Sequence, residues 1–209
     1  MGASGKVGKA GRVGLMGGTF DPIHNGHLIA AEEARWQAGL EKIIFVPTGQ
    51  PPHKEREPAA NPWHRYLMTA LAVNSNPYFQ VSSVEIERTG PSYTVDTLKA
   101  FAKLYPGAEI FFITGSDAIL EIATWKDVEQ LLSLCRFIAA VRPRYGLDVL
   151  REKLSLLPLK WQERILCLEV PGLDISSTEI RKRIREGRPV KYLLPESVED
   201  YIRKNGLYR

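Results

Sequence analysis

The segment GGTFDPIHNGH, Gly17 to His27, directly follows the apolar run VGLM, Val13 to Met16. The apolar run predicts a buried strand, and the residues from about Asn25 onward predict a helix. Glycine lets the backbone approach a ligand closely, and Pro22 limits the freedom of the loop between the two elements. A glycine-containing turn from a strand into a helix is the place where open α/β sheets bind phosphate groups.

Two histidines, His24 and His27, stand three residues apart at the start of this predicted helix. The spacing places both imidazoles on one side of the helix start, where free N–H groups and the helix dipole favour an anion. Both rings can donate hydrogen bonds to phosphate oxygens, and Gly26 leaves room for a bulky ligand group. A purely structural histidine pair is the alternative for H-x-x-H alone. A zinc site is disfavoured because only His53 and His64 remain as imidazoles and no H-E-x-x-H spacing occurs.

Short β-rich runs and amphipathic segments alternate along the chain. This alternation predicts an α/β fold, a Rossmann-like doubly wound parallel sheet with helices on both faces and a small helical C-terminal part. The predicted strands are Val13 to Met16, Lys42 to Val46, Phe79 to Val81, Glu109 to Thr114, Arg136 to Val141 and Arg164 to Glu169. The predicted helices are Gly26 to Gln37, Pro62 to Asn74, Val95 to Leu104, Asp117 to Glu121, Lys126 to Leu132, Leu147 to Leu156, Thr178 to Arg185 and Glu196 to Lys204.

A chain of 209 residues is long enough for one well-filled core. We expect a flexible tail over residues 1–11 and a single domain over residues 12–209. No apolar run approaches the length of about 20 residues that crosses a bilayer, and the tail lacks the apolar core of a secretory signal. Cys135 and Cys167 lie in apolar runs without partners at metal-ligand spacing, which predicts buried, reduced thiols. These features predict a soluble, cytoplasmic protein.

The formal net charge of +4 suits an anionic ligand without identifying it. The one dense basic segment, RKRIREGR from Arg181 to Arg188, could be a nucleic-acid patch. A surface helix is favoured, because Ile180 and Ile184 are spaced to face the core and no aromatic residues interleave with the charges. We therefore expect neither a nucleic-acid partner nor a membrane partner.

Other nucleotide-binding motifs are missing from the start of the fold. The dinucleotide fingerprint G-x-G-x-x-G does not follow the first strand, and the N-terminal glycines lack the Ser or Thr that completes a Walker A loop. Residues Thr48 to Pro58, TGQPPHKEREP, show no periodicity and predict a mobile loop over a site. The phosphate site is thus expected at residues 17–27, with this loop nearby.

The segment Gly17 to His27 resembles the signature of the nucleotidyltransferase superfamily with the (H/T)-x-G-H motif, and ISSTEIR, Ile175 to Arg181, resembles its second signature. The double glycine and the motifs between the signatures are similar to those of the bacterial nicotinate-mononucleotide adenylyltransferases. The resemblance spans roughly residues 12 to 205. The intervening motifs, in order, are PPHK (Pro51 to Lys54), PSYTVDTL (Pro91 to Leu98), GSD (Gly115 to Asp117), Trp125 and VRPRYG (Val141 to Gly146).

The resemblance implies adenylyl transfer from ATP to nicotinate mononucleotide, which gives nicotinate adenine dinucleotide and pyrophosphate in NAD biosynthesis. It implies Mg²⁺ as the escort of ATP, and no carboxylate cluster suggests a dedicated protein site for the metal. The catalytic residues implied are His24, His27 and Arg181. Those implied for ATP are Gly17, Gly18, Thr19, Phe20, Gly26, Ser176, Ser177 and Arg142, and those for nicotinate mononucleotide are Lys54, Thr94, Asp117 and Trp125.

Elementary chemistry supports part of this assignment. Ser176 or Ser177 can cap the helix that follows, and Arg181, one turn in, can reach an anion there. Thr94 stands near a helix N-cap, where donors favour a nicotinate carboxylate over a nicotinamide. For other residues an ordinary role competes, namely solvation for Lys54, N-capping for Asp117 and core packing for Trp125. Asp96, in the same turn as Thr94, opposes a carboxylate by repulsion.

Two other functions remain open from the sequence. One is the sister adenylyltransferase that acts on phosphopantetheine, in which PSYTVDTL and Trp125 are not expected. The other is a catalytically inactive nucleotide-binding regulator, which the loss of His27 or Arg181 would have indicated.

Overall fold

The computed structural model describes residues 11–52, 59–141 and 146–209, and its strands form one parallel sheet. The strands are β1 Arg12–Gly18, β2 Lys42–Pro47, β3 Phe79–Val81, β4 Glu109–Gly115, β5 Arg136–Val141 and β6 Ile165–Glu169. Their order in the sheet is β3-β2-β1-β4-β5-β6. The chain therefore reverses direction across the sheet between β1 and β4, where ligands bind in doubly wound folds.

Helices follow most of the strands and cover both faces of the sheet. They are α1 Asn25–Gln37, α2 Pro62–Val73, α3 Val84–Glu87, α4 Thr94–Leu104, α5 Ser116–Leu120, α6 Val128–Leu134, α7 Leu147–Leu154, α8 Leu159–Gln162, α9 Ser177–Arg185 and α10 Glu196–Asn205. A 3₁₀ turn covers Ile122–Thr124. The predicted Rossmann-like α/β fold is confirmed.

The alternating side chains of the strands divide the core into two layers. On β1, Met16 packs with α1, α2, α9 and α10, whereas its neighbour Leu15 packs with α4, α5, α6 and α7. On β4, Phe111 and Phe112 separate in the same way. The strands are apolar on both faces because both faces are buried, as expected for a parallel sheet between helices.

The predicted elements match the observed ones closely, with shifts of one or two residues at most ends. The largest shifts, of two residues, affect the end of β1, both ends of α6 and the end of α7. The helix α6 begins only at Val128 because Asp127 before it has a left-handed backbone, with φ of 55°. The short α3, α8 and the 3₁₀ turn were not predicted. Each has only three or four residues, too few for a helical period to appear. Residues 1–10 of the predicted tail lie outside the described residues.

The C-terminal helices lie against the α2 side of the sheet. Ile180 is buried and Ile184 packs beside it, as the sequence predicted for the basic segment. The charges of that segment are largely paired on the surface, for example Arg183 with Glu179 at 3.0 Å and Arg188 with Glu186 at 3.2 Å. This helix is therefore a capped, salt-bridged surface element.

Two further expectations concern the thiols and the membrane. Both cysteines are free, as predicted, although Cys167 is only partly buried. Among the described residues, no helix has the length and apolar character needed to span a bilayer.

Candidate active site

A cavity of about 560 Å³ opens at the carboxyl ends of β1 and β4, at the point where the strand order reverses. Part of its wall comes from the end of β1, and a second part comes from the start of α4 and from the segment before α6. The lining residues are Gly17, Gly18, Thr19, Thr48, Pro51, Pro52, Glu85, Ser92, Tyr93, Thr94, Phe112, Thr114, Glu121, Thr124, Trp125, Lys126 and Leu131.

The glycines at the end of β1 serve packing as well as access. A Cβ on Gly17 would lie 2.7 Å from the ring of Phe112, and a Cβ on Gly18 would lie 3.0 Å from the ring of Phe20. The distance at Gly17 is too short for a side chain, and the one at Gly18 would require the Phe20 ring to shift. The glycines thus place bare backbone on the cavity wall because aromatic rings behind it occupy the space.

His24 and His27 lie side by side, as their spacing predicted. Their ring centroids are 3.7 Å apart with an interplanar angle of 23°, and Phe20 meets the His27 ring edge-on at 5.1 Å. Nδ1 of His27 accepts the backbone N–H of His24 at 3.2 Å. In a neutral imidazole, an accepting Nδ1 leaves the proton on Nε2, so His27 presents a donor at its outer nitrogen.

Three features of this helix start were not expected from the sequence. His24 is only 3% exposed, so its ring supports His27 rather than facing open space. A Cβ on Gly26 would lie 3.1 Å from Nδ1 of His24, so the room beside Gly26 is taken by that ring. The N–H groups are also not all free, because Asn25 donates to the Leu193 carbonyl and His27 to the His24 carbonyl.

Phe20 likewise differs from the expectation that it lines the nucleotide. Its side chain is 2% exposed and packs against His27 and Phe45. Phe20 can therefore contribute to the site by holding the His27 ring in place, since almost none of its own side chain is exposed to a ligand.

The two signatures, about 150 residues apart in sequence, meet at the loop between β1 and α1. Nη1 of Arg181 donates to the backbone carbonyl of Asp21 at 2.7 Å, and the hydroxyl of Ser177 donates to the carbonyl of Pro22 at 2.9 Å. Ser176 caps α9, since its hydroxyl accepts the N–H of Glu179 at 3.2 Å. The prediction left the capping residue open between the two serines, and their roles are in fact divided.

Asp21 lies buried beneath this loop and joins it to distant parts of the chain. Its carboxylate accepts the N–H groups of Ala59 and Ala60 at 2.7 and 3.2 Å, and the Tyr208 hydroxyl at 2.7 Å. Burial, followed by the hydrogen bond to Asp21, raises the pKa of Tyr208 far above its ordinary value. The phenol is therefore a permanent donor to Asp21.

The second part of the wall carries two of the residues expected for the second substrate, Thr94 and Trp125. Thr94 is the first residue of α4 and lines the cavity, while Asp96 is not among the lining residues. Trp125 lines the cavity and meets Phe112 and Phe137 edge-on at 6.1 and 5.8 Å. The indole thus both packs in the core and presents a surface to the cavity.

Lys126, which the sequence reasoning passed over, lies at the same wall. Its Nζ is 4.2 Å from the centroid of the Tyr93 ring, and both residues line the cavity. Its position directly after Trp125 was the signal that could have indicated it. Lys126 adds a positive charge next to Thr94.

Asp117 is exposed in α5 and is not among the lining residues. It does not cap α5 either, since Gly115 is the N-cap residue of that helix. Lys54 and Arg142, together with residues 53–58 of the predicted mobile loop, lie outside the described residues.

Two buried charged residues were also not predicted, Glu85 in the lining of the cavity and Arg65, which contacts the lining residue Thr19. Arg65 is completely buried and donates to the carbonyls of Ala60, Thr19 and Gly49 at 3.2, 2.7 and 3.1 Å. Glu85 is 7% exposed, and its carboxyl accepts the Thr97 hydroxyl at 2.6 Å. Burial lowers the pKa of Arg65 and raises that of Glu85. The sequence around each residue is also compatible with an exposed charged side chain, so their burial could not be predicted from it.

Among the described residues, no group of three or more His, Cys, Asp or Glu side chains could hold a metal ion. The site is thus a nucleotide-sized cavity whose lining includes Lys126, Glu85 and Glu121. His24, His27 and Arg181 are not among the lining residues; they lie at the loop between β1 and α1, which continues from the cavity-lining Thr19. A doubly wound sheet with a cavity of this size at its switch point is the arrangement of a nucleotide-binding α/β protein.

Comparison with known proteins identifies the family. A family model described as cytidylyltransferase-like matches residues 15–183. A probable nicotinate-nucleotide adenylyltransferase of Moorella thermoacetica is 58% identical over 97% of this chain and 94% of its own length. One from a Thermoanaerobacter species is 52% identical over 95% of this chain and 94% of its own length. The chain belongs to the nicotinate-nucleotide adenylyltransferase family of enzymes.

Solved structures support the fold. A nicotinic acid mononucleotide adenylyltransferase of Plasmodium falciparum complexed with NaAD has a TM-score of 0.76 at 23% identity, covering 95% of this chain and 97% of the other. The same parasite enzyme complexed with APC has a TM-score of 0.74 at 24% identity, with the same coverage.

Proposed function

We propose that this chain transfers the adenylyl group of ATP to nicotinate mononucleotide, giving nicotinate adenine dinucleotide and pyrophosphate, a step of NAD biosynthesis. A phosphate oxygen of the mononucleotide attacks the α-phosphorus of ATP in line, and the bond from that phosphorus to the β-phosphate oxygen breaks. The reaction needs positioned phosphates and neutralised charge rather than a covalent intermediate. The cavity between the Gly17–Thr19 wall and the Thr94–Lys126 wall carries this proposal.

The ATP phosphates are proposed to lie beside His27 and Arg181. His27 would donate from Nε2, because its Nδ1 accepts the His24 amide, while His24 stacks beneath it. Arg181 already fixes the Asp21 carbonyl through Nη1, and its guanidinium has further donors for a phosphate. Gly17, Gly18 and Thr19 would face the nucleotide through backbone atoms, with Ser176 and Ser177 holding the adjoining segments.

The mononucleotide is proposed to lie against the part of the cavity wall formed by Thr94, Trp125 and Lys126. Trp125 would stack on the pyridine ring with the face that its aromatic neighbours leave uncovered. The nicotinate carboxylate would lie at the start of α4 near Thr94, where Lys126 adds a cation to the backbone donors. A nicotinamide has no charge for Lys126 to stabilise, so the acid is the expected substrate.

Further roles rest on the family resemblance. Lys54 is proposed to meet the phosphate of the mononucleotide, Asp117 a ribose hydroxyl, and Arg142 the adenine edge. Mg²⁺ is proposed to accompany ATP, where it would neutralise charge on the phosphates. We also propose that the protein acts in the cytoplasm on small-molecule substrates, without nucleic-acid or membrane partners.

The test is to incubate the purified protein with ATP, Mg²⁺ and one acceptor at a time, and to identify the adenylylated product by mass spectrometry. The acceptors are nicotinate mononucleotide, nicotinamide mononucleotide and phosphopantetheine. Formation of nicotinate adenine dinucleotide with release of pyrophosphate is expected. Product from phosphopantetheine alone would identify the sister enzyme, and ATP binding without any product would identify a regulator.

A further inference from the structure

The Gly49 peptide, just behind the cavity, is held from both sides by buried charged side chains. Its carbonyl accepts from Nη2 of Arg65 at 3.1 Å, and its N–H donates to the carboxyl of Glu85. A Cβ on Gly49 would lie 2.1 Å from the Glu85 carbonyl oxygen, so only glycine fits there. We call the trio of Arg65, Gly49 and Glu85 the Gly49 pin.

On one side the Gly49 pin reaches the β1 wall of the cavity. Nη1 of Arg65 donates to the carbonyl of Thr19 at 2.7 Å, and Nε donates to that of Ala60 at 3.2 Å. A guanidinium is planar and rigid, so it fixes the spacing of the three carbonyls that it contacts.

On the other side the Gly49 pin reaches the α4 wall. The Glu85 carboxyl accepts the hydroxyl of Thr97, in the first turn of α4, at 2.6 Å, and it also bonds to the hydroxyl of Ser92. Ser92 in turn pairs with Gln50, donating its N–H at 2.7 Å and accepting through its hydroxyl at 3.2 Å. The residues before Thr94 are therefore tied directly to the peptide that follows Gly49.

Hydrophobic packing alone does not require ions at these two positions. Burying a guanidinium and a carboxyl is unfavourable unless each is well hydrogen-bonded, and an apolar pair would fill the space at lower cost. What the polar groups add is a defined distance between backbone segments. Both segments that they define line the cavity.

We infer that Arg65 and Glu85 are positioning residues for adenylyl transfer, which hold the acceptor wall at a fixed distance from the nucleotide wall through the Gly49 pin. The inference rests on the proposed function. Neither side chain acts on the reacting atoms. Glu85, which itself lines the cavity, bonds to Thr97 and Ser92 of the acceptor wall and to the Gly49 N–H, so its loss affects the mononucleotide selectively. Arg65 contacts the nucleotide wall at Thr19 and reaches the acceptor wall through Gly49, so its loss affects both substrates.

The first test variant is Glu85→Gln, which keeps the shape of the side chain. It replaces one accepting carboxylate oxygen by an amide NH₂ group, which cannot accept the surrounding donors. We expect the KM for nicotinate mononucleotide to rise about tenfold, as for the loss of one charge-assisted hydrogen bond, and the KM for ATP to stay within about twofold. Glu87→Gln is the matched control, because Glu87 is exposed on the same helix and bonds to the Ser83 hydroxyl. Both KM values of Glu87→Gln should equal those of the wild type.

Two further variants keep the test decisive if Glu85→Gln fails to fold. Ser92→Ala removes the hydroxyl shared by Glu85 and Gln50 and should give the same selective rise. Arg65→Lys keeps the charge but loses the planar guanidinium that contacts three carbonyls at once, and it should raise both KM values. Unchanged KM values in folded variants, or equal effects of Glu85→Gln on both substrates, would overturn the inference. An inactive wild type would instead overturn the proposed function, and the inference with it.

Discussion

Replacing His27 by Asn separates the roles of its two ring nitrogens. Nδ1 accepts the N–H of His24 at 3.2 Å, and an asparagine amide oxygen lies at nearly the same place in the side chain. Nε2 has no counterpart in asparagine. A preorganised donor to developing charge contributes about 3 kcal/mol, so kcat should fall about 10²-fold. Loss of the ring contacts with His24 and Phe20 should cost about 1 kcal/mol of folding free energy.

Comparison with His27→Ala completes the experiment. Alanine loses the acceptor for the His24 amide as well, so its unfolding free energy should fall by about a further 1 kcal/mol while kcat falls to a similar extent. The measurements are single-turnover formation of the dinucleotide at saturating ATP and Mg²⁺, and urea unfolding. His64→Asn is the control, because His64 lies in α2 and bonds to Tyr201 at 2.8 Å, outside the loop between β1 and α1. Near-normal turnover in folded His27→Asn would make His27 a structural residue.

Three other outcomes follow from the structure. Arg181→Ala should raise the KM for ATP more than that for the mononucleotide, and steady-state kinetics showing equal losses would place Arg181 elsewhere. The kcat/KM for nicotinate mononucleotide should exceed that for nicotinamide mononucleotide by at least about tenfold, or 1.4 kcal/mol. Lys126→Ala should reduce this preference. Equal kcat/KM values for the two substrates in the wild type would contradict the assignment of the α4 wall. Burial raises the pKa of Cys135 from 9.0 to about 12, so about 4 kcal/mol of stability, present below pH 9, should disappear between about pH 9 and 12. Urea unfolding of Cys135→Ala should show a flatter alkaline profile, and identical profiles would contradict this origin.

The fold was predictable because its determinants are local. IIFV and IFFIT are continuous apolar runs, and they became β2 and β4, which are buried on both faces. The longer helices carry apolar residues at helical spacing on the side that packs in the core, such as Val95, Leu98 and Phe101 in α4. By contrast, α3 and α8 have one turn each, and the left-handed Asp127 before α6 depends on tertiary context that a local pattern does not contain.

The spacing of the candidate site residues predicted some of their contacts and not others. The spacing of His24 and His27 indicated that their rings meet, and the rings do stack. Nothing in the spacing indicated that the His24 ring fills the space beside Gly26. It also did not indicate that the Ser177 hydroxyl donates to the carbonyl of Pro22, which is remote in sequence. Buried charges were hardest to find, because Arg65 and Glu85 occupy positions where a surface charge gives the same sequence pattern.

The loop between β1 and α1 owes its geometry to segments that are remote in sequence. Asp21 accepts from Ala59, Ala60 and Tyr208, and its carbonyl accepts from Arg181. Ala59 and Ala60 follow β2, whereas Arg181 and Tyr208 follow β6, so the loop is held by segments from both halves of the chain. A loop fixed from so many directions cannot relax easily around a ground-state ligand. Its donors therefore keep the arrangement that developing charge requires, and such preorganisation is what phosphate-transfer chemistry asks of a protein.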